Sequence, residues 1–277
     1  MNLQSERRGA AIEESGNPAA ADPLMRLDKV CKTYETRDGP IVSLQPITLD
    51  VRAGEFVSIV GPSGCGKSTL LKMAAGLLPV TAGTLSIHGS VVVGPPEGVG
   101  IVFQNAVLLG WRDILDNIML QVEIRRLPRE PYFRRAMELI EMVDLKGFEH
   151  KLPWQLSGGM QQRAALCRAL VHDPQILLMD EPFGALDAMT RERMNLDLQR
   201  IWSSTRKTVL LITHSIPEAV FLADRVVVLT ERPGSIAHVY DVPLARPRSV
   251  EMMASHAFVM LTQTIRRHFF AKGRLDG

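Results

Sequence analysis

At 277 residues, with 46% hydrophobic and 22% charged side chains, the chain holds enough apolar material for one or two domains with a sizeable core. The 32 Lys and Arg against 30 Asp and Glu leave a net charge of +2, which excludes a strongly basic nucleic-acid binder and an acidic disordered chain. Cys31, Cys65 and Cys167 are scattered without a CxxC spacing, against a disulfide framework or zinc site, and fit a reducing cytosol. The N-terminus lacks the apolar core of a signal peptide, and Lys, Arg, Asp, Pro or Gly breaks every apolar run short of the roughly 18 residues a membrane span needs.

Residues 1–22, rich in Ala, Glu, Ser and Pro, read as a disordered lead-in. Imperfect alternation over 25–34 marks a half-buried strand, and a second strand covers 47–51 before the turn Ala53-Gly54-Glu55. Residues 56–60, Phe-Val-Ser-Ile-Val, are apolar enough for a strand covered on both faces. A glycine-rich segment and a helix ending before Gly76 follow, then strands at 84–88, 100–103, 176–179, 208–213 and 225–230. Strands interleaved with helices define an α/β domain. Between about 112 and 155 no strand signal appears, and 133–143 carries apolar residues at helical spacing, so a helical insertion at 105–155 divides a core of 23–104 and 156–248. The last 30 residues read as a short hairpin or loop and then a helical tail over 249–277.

Gly61-Pro62-Ser63-Gly64-Cys65-Gly66-Lys67-Ser68 matches G-x-x-x-x-G-K-[ST] between a buried strand and a helix, a coincidence expected in on the order of 1% of chains this long even without that context. Glycines let backbone N–H groups curl around phosphate oxygens, and the helix terminus that begins near Ser68 and Thr69 adds partial positive charge. Lys67 would reach the β- and γ-phosphates and Ser68 would ligate Mg²⁺. Residues 176–181, Ile-Leu-Leu-Met-Asp-Glu, put Asp180 at the C-terminal end of a buried strand to hold the Mg²⁺ shell, with Glu181 placed to accept a proton from an attacking water. Cys65, beside Lys67 and a helix N-terminus, is expected to have a lowered pKa, yet reads better as a small tolerated residue than as a regulatory thiol.

A second anion site is implied by Leu156-Ser157-Gly158-Gly159-Met160-Gln161-Gln162-Arg163, where Ser157 and two glycines open a helix with Met160, Ala164, Cys167 and Val171 on one face. One nucleotide does not need both. Here the chain resembles the ATP-binding cassette (ABC) family over roughly residues 25–248. The resemblance implies a P-loop NTPase fold: a RecA-like core sheet flanked by helices, an antiparallel β subdomain and an inserted α-helical subdomain. It also assigns roles. Tyr34 matches the aromatic that stacks on adenine, and Gln104 the glutamine that touches Mg²⁺ and water. Asp187, in Gly184-Ala185-Leu186-Asp187, matches the loop crossing a dimer interface, and His214 the γ-phosphate sensor. Ser157, Gly158, Gly159 and Gln161 belong to the signature motif that in relatives meets the γ-phosphate held by the opposite subunit.

The resemblance thus implies a homodimer closing around two ATP and Mg²⁺. With one cassette and no membrane segment, the chain is expected to drive separate permease subunits at the cytoplasmic face of a bacterial inner membrane, fed by an extracytoplasmic solute-binding protein. Finer likenesses at 108–117, 180–187, 213–219 and Arg246-Pro247-Arg248 point to the nitrate/sulfonate/taurine-type importers. Trp111 is either an anchor for a permease helix or an ordinary buried Trp. The basic, aromatic stretch 265–272 reads as a solvated helix end rather than a lipid contact. The alternatives are a soluble ABC ATPase of an assembly or other non-transport system, a small-metabolite P-loop kinase, and a non-catalytic nucleotide-binding module. The kinase leaves Ser157 and His214 without a purpose, and the module predicts damage at Glu181, Gln104 or His214 that is not seen.

Overall fold

The computed structural model describes residues 22–270; the expected lead-in lies, apart from Asp22, outside the described residues. In chain order come β1 (Met25–Thr36), β2 (Gly39–Val51), β3 (Phe56–Val60), α1 (Lys67–Ala74), β4 (Ala82–Ile87), β5 (Ser90–Val91) and β6 (Val99–Val102). Helices α2 (Ile114–Ile124) and α3 (Arg129–Met142), a 3-10 turn (Pro153–Gln155) and α4 (Gly158–Leu170) follow. Then come β7 (Ile176–Asp180), α5 (Ala188–Thr205), β8 (Thr208–Ile212), α6 (Ile216–Leu222), β9 (Arg225–Leu229) and β10 (Ile236–Asp241). A second 3-10 turn (Val250–Ala254) and α7 (His256–Phe270) end the described chain.

β3 lies inside a six-stranded sheet of order β10-β9-β3-β8-β7-β6, parallel except for β10. Its residues are all buried because both faces are covered. Phe56 and Val60 join Leu177, Met179, Val209 and Leu211 under α2, α4, α5 and α6, where Ala164, Trp202 and Phe221 complete the packing. Val57 and Ile59 join Ile176, Leu178, Leu210 and Ile212 on the other face, against α1 and the antiparallel sheet β2-β1-β4-β5. The period-two alternation of strands therefore feeds two cores from one apolar run. That matches the expected α/β P-loop architecture, and α2 and α3 fall within the expected insertion.

Two strand expectations need correction. β2 starts at Gly39, well before residue 47, since its first half is exposed and held by pairing of Thr33, Tyr34 and Glu35 with Val42, Ile41 and Pro40. Backbone pairing without burial leaves no hydrophobic alternation to read. β10 was not foreseen either. It is a half-exposed edge strand, antiparallel to β9, whose Ile-Ala-His-Val-Tyr-Asp sequence lacks an apolar face. Before α7 the tail forms a 3-10 turn, so of the two expected forms it takes the loop and not the hairpin.

Candidate nucleotide site

The phosphate loop runs from the end of β3 to Gly66, which caps α1 in a left-handed conformation (φ 100°) without a side-chain hydrogen bond. A Cβ on Gly66 would sit 2.6 Å from Leu44 Cδ2, so the loop needs glycine there for backbone and for space. The first N–H groups of α1 are consequently not taken by a capping side chain, the usual condition for anion binding. Lys67, buried, donates to the carbonyls of Gly61 (2.8 Å) and Pro62 (3.0 Å), which brings its ammonium back over the loop. The Ser68 hydroxyl donates to Asp180 Oδ1 at 2.8 Å, joining α1 to the end of β7. Burial raises the Asp180 pKa, opposed by that hydrogen bond.

A cleft of about 330 Å³ opens here, lined by Ser63, Gly64, Gly66, Lys67 and Ser68 with Tyr34, Thr69 and Glu181 at its sides. Tyr34 Oη lies 3.3 Å from Thr69 Oγ1, and the Lys32 ammonium sits 5.3 Å from the Tyr34 ring centroid. Ser43 and Arg232 also line the cleft, and the sequence reading missed both. Cys65 corrects an expectation. It is fully buried, and desolvation raises its thiol pKa against the lowering influence of Lys67.

Beyond Asp180 the chain turns through Glu181 in the left-handed region (φ 45°), a cost of roughly 1–2 kcal/mol, with its N–H held by Ile212 O at 2.9 Å. The turn brings Glu181 Oε2 to 3.2 Å from His214 Nδ1. Both converge with Gln104 on Gly184: a Cβ built there would lie 3.6 Å from His214 Cε1 and 3.8 Å from Gln104 Nε2. Arg191 braces this loop by donating to Phe183 O (3.2 Å) and Leu186 O (2.8 Å). Asp187 caps α5 through Thr190 N at 3.0 Å, and these hydrogen bonds hold its pKa down.

The signature residues lie elsewhere. Ser157 caps α4 through Met160 N (3.3 Å), and it and Gly158 are exposed and do not line the cleft. A Cβ on Gly159 would meet Thr190 Cγ2 in the first turn of α5 (2.8 Å) and Leu186 Cδ2 in the loop before it (4.0 Å). Gln161 is turned back on its own chain, donating to Pro153 O (2.9 Å) and Leu156 O (3.2 Å). Two further residues of α4 escaped notice: Gln162 donates to Phe103 O (3.0 Å), and Arg168 to Ala106 O (2.7 Å) and Val107 O (2.8 Å), gripping the segment that carries Gln104. Glu218 was also missed, a carboxyl 4% exposed whose Oε1 has no partner. Burial raises its pKa, with Thr213, Arg191 and His214 opposing. Nothing in a lone Glu near a helix start signals such burial.

A glycine loop entering a helix N-terminus, a lysine over it and a carboxylate at the end of β7, a parallel strand one removed from β3, define a P-loop ATPase. The family model for the ABC transporter matches residues 44–184, and the chain belongs to that family. It is 46% identical over 81% of its length to an ABC transporter ATP-binding protein of Methanocaldococcus jannaschii, covering 84% of that protein. It is 44% identical to the nitrate import ATP-binding protein of Synechococcus elongatus (82% and 84% covered) and 41% identical to the taurine import ATP-binding protein of Roseobacter denitrificans (80% and 83%). Among solved structures, the dimeric structure of a bacterial ABC transporter cassette aligns with TM-score 0.71 at 33% identity, over 80% of this chain and 100% of that one. A dimeric post-hydrolysis cassette bound to ADP and Pi aligns equally well at 32% identity. The chain is therefore an ABC ATPase subunit homologous to those of importers, and no described helix is long and apolar enough to cross a membrane.

Proposed function

We propose that two copies of this chain close head to tail around two Mg²⁺-bound ATP molecules and drive permease subunits that import a small oxyanion or sulfonate. The observation that carries this reading is the division of the site. Lys67, Ser68, Asp180, Glu181, Gln104 and His214 gather at one cleft, while Ser157 and Gly159 offer a helix N-terminus elsewhere on the surface. A second chain would supply that terminus to the γ-phosphate, with Asp187 at the junction.

Within each half, Tyr34 stacks on the adenine while the loop N–H groups, Lys67 and Thr69 hold the phosphates. The Ser68 hydroxyl and Asp180 carboxylate, in contact at 2.8 Å, are hard oxygen donors suited to Mg²⁺, with Gln104 as a third. No group of three His, Cys, Asp or Glu residues that could hold a metal occurs among the described residues. When bound, Mg²⁺ would neutralise charge on the β- and γ-phosphate oxygens. Glu181 accepts the proton of the attacking water as the bond from γ-phosphorus to the bridging oxygen breaks, giving ADP and phosphate. His214 orients Glu181 and meets the γ-phosphate, and Gln104 orients the water.

Trp111 is 79% exposed and lies near the start of the helical insertion with Val107 at 60% exposure, which favours an interface anchor over a buried Trp. Asn117, fully buried, fixes this segment by hydrogen bonds to Leu109, Arg112 and Asp113. A cytoplasmic segment of the permease would dock here, placing the chain on the cytoplasmic face of the membrane while an extracytoplasmic binding protein delivers the solute. The test is Glu181→Gln in light scattering: the mass should double with ATP and Mg²⁺ and stay monomeric with Ser157→Arg added. A Glu181→Gln chain that binds ATP but remains monomeric, alone and with its permease, would sink the two-copy reading.

A further inference from the structure

The turn between β9 and β10 carries a residue that none of the assigned roles uses. Arg232 lines the phosphate-loop cleft together with Ser43, Ser63 and Lys67. Its position follows from the sheet. β9 flanks β3 on one side and β8 and β7 lie on the other, so the turn leaving β9 reaches the phosphate loop opposite to Asp180, Glu181 and His214. The turn is held there by its backbone. Gly234 N–H donates to Ser43 O (3.0 Å), and Gln45 N–H donates to Gly234 O (2.8 Å), making a short parallel bridge between Leu44 and Gly234. A Cβ on Gly234 would stand 2.0 Å from Cys65 O, so the turn lies directly against the phosphate loop. Thr230 closes it from within, its hydroxyl accepting from Ser235 N–H at 2.9 Å and its own N–H donating to Ser235 O at 2.9 Å.

None of these fixing contacts involves the Arg232 side chain, which is exposed and makes no ion pair among the described residues. Its neighbours in the cleft, Tyr34, Ser43, Ser63, Gly64 and Lys67, bring no carboxylate; Glu181 stands across the cleft, engaged with His214. A guanidinium on a backbone-locked turn at the wall of an anion cleft is arranged for a phosphate oxygen. We propose that Arg232 is a nucleotide-binding residue, a second cation beside Lys67 that engages the α- and β-phosphates from the β9 side. This rests on the reading of the cleft as the ATP site. Being on the side away from Glu181 and His214, Arg232 acts on binding of the diphosphate common to ATP and ADP, not on the water attack.

The experiment compares binding of a fluorescent ADP and a fluorescent non-hydrolysable ATP analogue to wild type, Arg232→Ala, Arg232→Lys and Lys67→Ala, with thermal melts of each. Expected for Arg232→Ala is about tenfold weaker binding of both nucleotides and an unchanged melt, with Arg232→Lys recovering most of the loss. In steady state the loss should appear chiefly in KM for ATP, and log Kd should depend less steeply on log salt than in wild type. Equal binding by wild type and Arg232→Ala, with Lys67→Ala defective, overturns the role of Arg232 alone. Weakening confined to the ATP analogue overturns the diphosphate contact. Failure of wild type to bind either nucleotide overturns the underlying reading of the cleft.

Discussion

Removing the Asp197 carboxylate should destabilise the protein through a residue of the signature run. Arg163, the last residue of that run, does not line the phosphate-loop cleft. Its Nη2 donates to Asp197 Oδ2 at 2.9 Å, its Nη1 to Val143 O at 2.8 Å, and its Nε lies 3.3 Å from Met194 Sδ. The two side chains are 11% and 3% exposed, and Arg200 engages the other Asp197 oxygen. Asp197→Ala leaves the Arg163 guanidinium buried with one carbonyl and Asp144, at 3.7 Å, as its remaining strong partners. Breaking one side of a buried pair costs about 3–5 kcal/mol, and the partly exposed Asp144 offsets some of it, so about 3 kcal/mol is expected. For a domain of this size that lowers Tm by roughly 6–12 °C. Thermal unfolding by circular dichroism measures it, and Asp197→Leu with Arg163→Met should recover most of the loss, because apolar replacement of both partners leaves no orphan charge. A single Asp197→Ala variant melting within about 2 °C of wild type would refute the reasoning.

Trp111→Ala should leave the ATPase rate of the isolated chain within about twofold of wild type and abolish its stimulation by reconstituted permease; equal stimulation of both would rule out the anchor. Gly234→Ala forces a Cβ to 2.0 Å from Cys65 O, so backbone must shift, and nucleotide affinity measured by calorimetry should fall about tenfold or more. His172 is held neutral by burial, its pKa lowered to about 4 from the usual 6.5. Between those values the unfolded chain binds the extra proton, so this contribution to stability is intact above pH 6.5 and is lost as pH falls toward 4. His172→Gln should flatten the dependence of Tm on pH in that window, and an unchanged slope would remove His172 as a cause.

What could be read from the residues followed from whether the signal was local. The run at 56–60 announces a doubly covered strand because Phe56 and Val60 feed one core and Val57 and Ile59 the other. The phosphate loop was legible for the same reason: its chemistry is contiguous in the chain. β10 and the first half of β2 were not, since exposed pairing is held by backbone groups that any residue supplies. Cys65 shows a local argument losing to a tertiary one, with burial outweighing the nearby ammonium. Arg232 gave no signal because its neighbours come from remote segments, and only the order β9-β3-β8 sets an Arg-Pro-Gly turn against residues 61–68.

The same distinction explains why α4 matters beyond its exposed N-terminus. From Ser157 the helix runs beneath the segment that carries Gln104, and Gln162 and Arg168 bind carbonyls on both sides of that residue, at Phe103, Ala106 and Val107. Burial lowers the Arg168 pKa and no described carboxylate pairs with it, so its carbonyl partners are what satisfy the charge. Sliding α4 away from the segment would strand that guanidinium, at a cost of about 1–3 kcal/mol for each lost charged hydrogen bond. Arg163 and Asp197 fasten the same helix to α5, which starts at the Asp187 cap. Downstream, Asn117 fastens the turn that presents Trp111. The N-terminus of α4, the Gln104 segment and the exposed tryptophan are therefore joined by polar contacts, most of them partly buried. Were a nucleotide on a second chain to engage Ser157, as proposed, these contacts would favour movement of the helix, the Gln104 segment and the Trp111 turn together.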